Sequence, residues 1–136
     1  MTNRIALFAA LAALLACGSA AEEGAETTTG AALAARIEAG SAPVILDVRT
    51  PEEFAAGHLQ GAVNVPHDQL AARLAGLGLD PSAEVVVHCE RGGRAKAAEA
   101  VLHQAGFTRV VDLEGHMKGW RAAGLPTETE SVPEKP

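Results

Sequence analysis

Polar and apolar positions along the chain fall into two alternating kinds of segment. Val44 to Val48, Ala62 to Val65, Glu84 to His88 and Arg109 to Leu113 are short, dense apolar runs bounded by Gly, Pro or charged residues, and they predict strands. Between them the apolar spacing lengthens to that of a helix. Ala31 to Ala39 places Leu33 and Ile37 one turn apart and stops at Gly40. Thr50-Pro51-Glu52-Glu53 supplies an N-cap, a Pro at the first helical position and a Glu at the third, a strong helix start that runs to Gly57. His67 to Leu74 predicts a helix closed by Gly76 and Gly78. Ala95, Ala98, Leu102 and Ala105 mark the buried face of another, ended by Gly106, and Met117 to Ala123 forms the last. Alternating helix and strand signals predict an α/β domain with a mainly parallel central sheet and helices on both faces. Glu84 to His88 is too continuously apolar for an edge, so it is expected at the centre.

The two ends of the chain lack this alternation. Arg4 is followed by the apolar stretch Ile5 to Ala16 and then Cys17, the pattern of an export signal over residues 1–16. The stretch is too short for a spanning helix, which needs about 20 residues. Leu14-Leu15-Ala16-Cys17 resembles a lipobox, with Cys17 as the lipidated residue and a lipid anchor as the only membrane attachment. Secretion after cleavage near Ala20 or Ala21 is the alternative. Either route places the domain outside the cytoplasm, on the periplasmic side of a bacterial membrane in the lipidated case. Residues 17–29, acidic and without apolar period, predict a flexible tether, and 127–136 a disordered tail. The folded domain is expected over 30–126.

Composition narrows the partners. A chain of 136 residues with 48% apolar content can form one domain with a real core. Its net charge of -6 argues against nucleic acid or an anionic bilayer as an electrostatic partner. With three Phe, one Trp and no Tyr, there is little material for stacking on bases or sugars. A monomer is expected. No set of His, Cys, Asp and Glu shows metal-ligand spacing.

Candidate chemistry concentrates in Cys89-Glu-Arg-Gly-Gly-Arg94, between the expected central strand and the following helix. A strand that ends in Cys and turns into a helix can aim backbone N–H groups and the helix dipole at one sulfur. Lowering a thiol pKa from about 8.5 to about 6.5 needs only ~2.7 kcal/mol of differential stabilisation. Gly92 and Gly93 leave room above the sulfur, and Arg91 and Arg94 offer charge to an anion. Glu90 opposes both effects unless it points to solvent, which is the expectation. Cys89 is the expected nucleophile, and Glu90, Arg91, Gly92, Gly93 and Arg94 are assigned to substrate binding.

The chain resembles the rhodanese family of sulfurtransferases. Val44 to Pro66 is similar to the family's first signature, Glu84 to Arg94 carries its active-site loop, and Ala105 to Trp120 is similar to its closing signature. The resemblance implies that a Cys89 thiolate takes the outer sulfur of an anionic donor such as thiosulfate. The resulting persulfide would pass it to cyanide or a thiol, with no metal or organic cofactor. A non-catalytic persulfide carrier or partner-binding module is the second reading. A Cys-dependent phosphatase or arsenate reductase is the third, disfavoured because four residues rather than five separate Cys89 from Arg94.

Other polar residues have plainer expectations. Asp47 and Arg49 should form a buried or capping ion pair supporting the loop. Strand alternation should send His88 away from Cys89. His58 reads as a hydrogen-bonding turn residue, His67 and His103 as solvated helix residues, and Trp120 as core. Glu53 stands where two-domain thiosulfate enzymes carry an Arg, so weak thiosulfate binding is implied. His116 interrupts the paired glycines of the closing signature, and it is expected to project outward.

Overall fold

The computed structural model describes residues 26–130. The expected signal, Cys17, the tether up to residue 25 and the tail from residue 131 lie outside them. Among the described residues five strands run parallel: β1 (Glu26–Thr28), β2 (Val44–Asp47), β3 (Val63–Asn64), β4 (Glu84–His88) and β5 (Arg109–Leu113), in the order β1-β5-β4-β2-β3. Five helices connect and follow them: α1 (Gly30–Glu38), α2 (Pro51–Ala56), α3 (Leu70–Arg73), α4 (Gly93–Gln104) and α5 (His116–Ala122). The expected α/β sheet with helices on both faces is present, with Glu84 to His88 at its centre. No helix among the described residues is long and apolar enough to cross a membrane.

Strand alternation divides the core into two layers. Leu46 and Val48 with Val85, Val87 and Cys89 face one side, against Leu70, Leu74, Ala95, Ala98 and Leu102. Ile45, Val86 and Val111 face the other, against Leu33, Met117 and Trp120. Each valine of β4 is fully buried, and such burial contributes roughly 1.5–3 kcal/mol per side chain. The strand that delivers Cys89 is therefore anchored from both faces. The same alternation sends His88 to the face opposite Cys89, as expected.

Several boundaries differ from the sequence reading, each for a local reason. Residues 26–29 are not tether: Glu26–Thr28 pairs with Val111–Leu113 as an edge strand, and the Thr29 side chain caps α1 by accepting the Ala32 N–H. Glu-Thr-Thr carries no apolar signal because its strand is made by backbone pairing. The expected tail is ordered as far as Glu130, with His58 and Glu128 exchanging two backbone hydrogen bonds of 2.8 Å. His67 to Leu74 is a turn followed by the short α3 and a 3₁₀ turn, Leu74–Leu77. The His67 N–H is committed to the Val48 carbonyl, so His67 lies outside the helix. Ala105 is exposed as the C-cap of α4 rather than buried. Trp120 is core, and its Nε1–H donates to the Pro126 carbonyl at 3.0 Å.

Candidate active site

Cys89 follows β4 directly, at the carboxyl end of the central strand, where open α/β sheets bind ligands. It is only 1% exposed. The chain then turns through Gly92, whose φ of +121° is one that L side chains rarely adopt, and the Gly92 N–H donates to Cys89 Sγ at 3.0 Å. Burial alone would push the thiol up. The His116 side chain and the backbone N–H groups of Ala95, Gly92 and Arg91 outweigh it and bring the thiol down to about 7. A substantial fraction is thiolate at neutral pH, the reactive form of cysteine.

His116 does not project outward. It is 7% exposed, stands at the first position of α5 with φ +51°, and turns its ring inward against the loop. Its Nδ1 accepts the Cys89 backbone N–H at 3.3 Å, and its Nε2 lies 3.4 Å from Asp112 Oδ1. The contact reaches Gly92 as well, because a Cβ there would sit 3.0 Å from His116 Nε2. Glycine at 92 thus serves both the turn and the packing of the imidazole. The next two amides of α5 hold the loop from the same side, Met117 N–H to the Cys89 carbonyl at 3.0 Å and Lys118 N–H to the Glu90 carbonyl at 3.1 Å.

The loop charges are placed differently from the expectation. Arg94 is held by Glu53 in a bidentate pair of 2.6 and 2.9 Å, so its charge is already matched. The Arg94 guanidinium, with help from Thr50, brings Glu53 down to about 2. Glu90 is partly buried rather than solvated, bonded to Arg121 and 3.8 Å from Arg49. Arg91 is exposed and contributes its backbone N–H near the sulfur. Gly93 opens α4. A cavity of about 320 Å³ beside the loop is lined by Arg49, Glu53, Glu90, Met117 and Arg121 among others, and its acidic and basic side chains balance.

Asp47 and Arg49 form the expected buried pair, at 2.9 and 2.6 Å, and Arg49 Nη2 also donates to the Gly57 carbonyl at 2.8 Å. The pair ties the end of β2 to the end of α2 and leaves Arg49 Nη1 toward Glu90. His88 lies behind it, 3.7 Å from Asp47, and burial keeps its imidazole neutral. His58 stacks on Phe54 at a 3.8 Å centroid distance and bonds the Phe54 carbonyl, a turn residue as expected. His103 is exposed on α4. Among the described residues no group of three or more His, Cys, Asp or Glu is placed to hold a metal ion.

Sequence reasoning missed His116, Asp112 and Arg121 as neighbours of the loop. Only the break in the glycine pair at His116 hinted at the first. The register of β5 and the start of α5, which bring Asp112 behind the ring, leave no local signature.

Residues 29–123 match the rhodanese-like domain family. The chain belongs to that family. Over 95 residues it is 41% identical to thiosulfate sulfurtransferase 16, chloroplastic, of Arabidopsis thaliana, covering 61% of this chain and 78% of that protein. Over 104 residues it is 39% identical to the HTH-type transcriptional regulator Rv0324 of Mycobacterium tuberculosis, covering 76% of this chain but only 45% of the regulator. Among solved structures, that of the Alr3790 protein from Anabaena sp. superposes with a TM-score of 0.70 at 34% identity, covering 77% of this chain and 84% of the other. This rhodanese-like domain keeps Cys89 at the strand-to-helix turn and places a histidine beside it.

Proposed function

We propose that this domain is a sulfurtransferase that carries sulfane sulfur as a persulfide on Cys89. The observation that carries the reading is the Cys89 sulfur itself, brought to about 7 at the end of the central strand and bonded by the Gly92 N–H. The thiolate attacks the outer sulfur of thiosulfate or a similar anion, a new S–S bond forms, and sulfite departs with the electrons of the broken bond. A thiol or cyanide then takes the outer sulfur and regenerates the thiolate. The loop is too short for the phosphatase-type cradle, with four residues between Cys89 and Arg94. The charge-balanced cavity favours weak binding of an inorganic dianion. If the N-terminal signal is processed as its sequence predicts, the chemistry operates outside the cytoplasm.

Persulfide carriage for a partner without turnover is the second reading, favoured by Glu53 occupying Arg94. Steady-state kinetics with thiosulfate and cyanide, then with thiosulfate and a thiol, test the first. Parallel double-reciprocal lines are expected, the sign of two half-reactions sharing one enzyme form. Intersecting lines, or turnover of an aryl phosphate in place of thiosulfate, would overturn the reading.

A further inference from the structure

We propose that His116 is the base of the sulfur-unloading step, its Nδ1 taking the proton of an incoming thiol, with Asp112 as a positioning residue beside its Nε2. The inference rests on the sulfurtransferase reading and adds to it a residue packed against the Cys89 loop. Among the described residues His116 is the only non-glycine with positive φ. The left-handed region costs an L residue roughly 1–2 kcal/mol, and strain of this kind gathers at functional sites. Here it turns a ring into the loop that a glycine would leave open.

The geometry has the order of a nucleophile, a base and an orienting carboxylate. Asp112 Oδ1, 3.4 Å from Nε2, fixes the neutral tautomer with its proton on Nε2 and its lone pair on Nδ1. That lone pair faces the Cys89 loop, where it accepts the Cys89 backbone N–H at 3.3 Å, a long bond that Nδ1 gives up when it takes the thiol proton. The titratable groups around the ring are His88 from β4, Cys89 directly after it, Asp112 from β5 and Glu99 from α4, with Lys96 acting on Glu99. The Cys89 side chain raises His116 most, burial lowers it, and Asp112 and Glu99 raise it further. Burial and then Asp112 push Glu99 up to about 7.

The step balances. A neutral thiol approaches the persulfide anion Cys89–S–S⁻, and its sulfur bonds to the outer sulfur. The thiol proton passes to Nδ1, and the bond from the outer sulfur to Cys89 Sγ breaks with its electrons left on Sγ. The products are the acceptor persulfide anion and a Cys89 thiolate paired with the His116 imidazolium. Nothing is oxidised or reduced overall.

His116→Asn is the decisive variant, because Asn tolerates left-handed backbone and can still accept the Cys89 N–H. Asp112→Asn is its companion. Reduced full-length protein is loaded with thiosulfate, mixed with glutathione in single turnover between pH 6 and about 10, and in parallel alkylated with iodoacetamide, reading the Cys89 peptide. In His116→Asn, transfer to glutathione is expected to fall about 100-fold near neutral pH, with the deficit shrinking as the thiol itself ionises. The alkylation inflection is expected to rise from about 7 toward ~8.5. Asp112→Asn is expected to show both effects to a smaller degree. Wild-type transfer rates with an unmoved inflection, or a loss uniform across pH as a purely structural role would give, overturn the proposal. Wild-type protein that never loads sulfur would sink the sulfurtransferase reading, while the alkylation inflection still decides whether His116 governs Cys89.

Discussion

Under the proposed function, Glu53 sets the charge that an anionic donor meets. Its carboxylate holds both terminal nitrogens of Arg94, and a charge-assisted bidentate pair is among the stronger polar contacts a side chain makes. The donor must either displace Glu53 or bind without Arg94. Glu53→Gln keeps the shape and removes the charge, and it is expected to lower the thiosulfate KM by roughly threefold to tenfold, the effect of about 1 kcal/mol. An unchanged KM would mean that Arg94 does not reach the donor. The pair also has a defined pH range. Glu53 is depressed to about 2 in the fold. Its contribution is therefore complete above the ordinary carboxylate range and is lost as pH falls through about 2, well below the pH of any assay of transfer. At this scale the sequence was informative where a residue's role is local. The Cys89 loop and the Asp47–Arg49 pair could be read from neighbouring residues. Glu90, Arg94 and His116 could not, because their partners Arg121, Glu53 and Asp112 are brought in from other elements.

Helix α2 carries Glu53, and its start depends on reciprocal capping. Thr50 accepts the Glu53 backbone N–H at 3.2 Å while the Glu53 carboxylate accepts the Thr50 N–H at 2.9 Å. The same carboxylate therefore serves the helix end and Arg94 together. Thr50→Ala is expected to cost about 1 kcal/mol, lowering Tm by roughly 4–8 °C, which thermal unfolding followed by circular dichroism would measure. A Tm within a degree of the parent would show that the ion pair alone holds α2. This helix could be read from its cap, its Pro51 and its Glu53, all local signals. Strand β1 could not, since Glu-Thr-Thr gains its conformation only from the open edge of β5. The His67 to Leu74 segment failed for a related reason: its apolar spacing was helical, yet the His67 N–H was already taken by Val48.

Across the described residues, one parallel sheet delivers the Cys89 thiol to the end of its most buried strand and closes a histidine over it from α5. The two core layers explain why the fold was legible, because Val85, Val86 and Val87 must be covered from both sides and the helical segments between strands supply that cover. They also explain the division of labour at the strand ends, with Cys89 on one face and the Asp47, Arg49 and His88 group on the other. The central claim is that this arrangement exists to hold sulfur on Cys89. Intact-mass measurement of the reduced protein after incubation with thiosulfate, mercaptopyruvate or polysulfide tests it most directly. The account predicts one added sulfur on Cys89 with at least one of these donors, removed by cyanide and absent in Cys89→Ser. Unmodified Cys89 with every donor, or a sulfur that persists in Cys89→Ser, would contradict it.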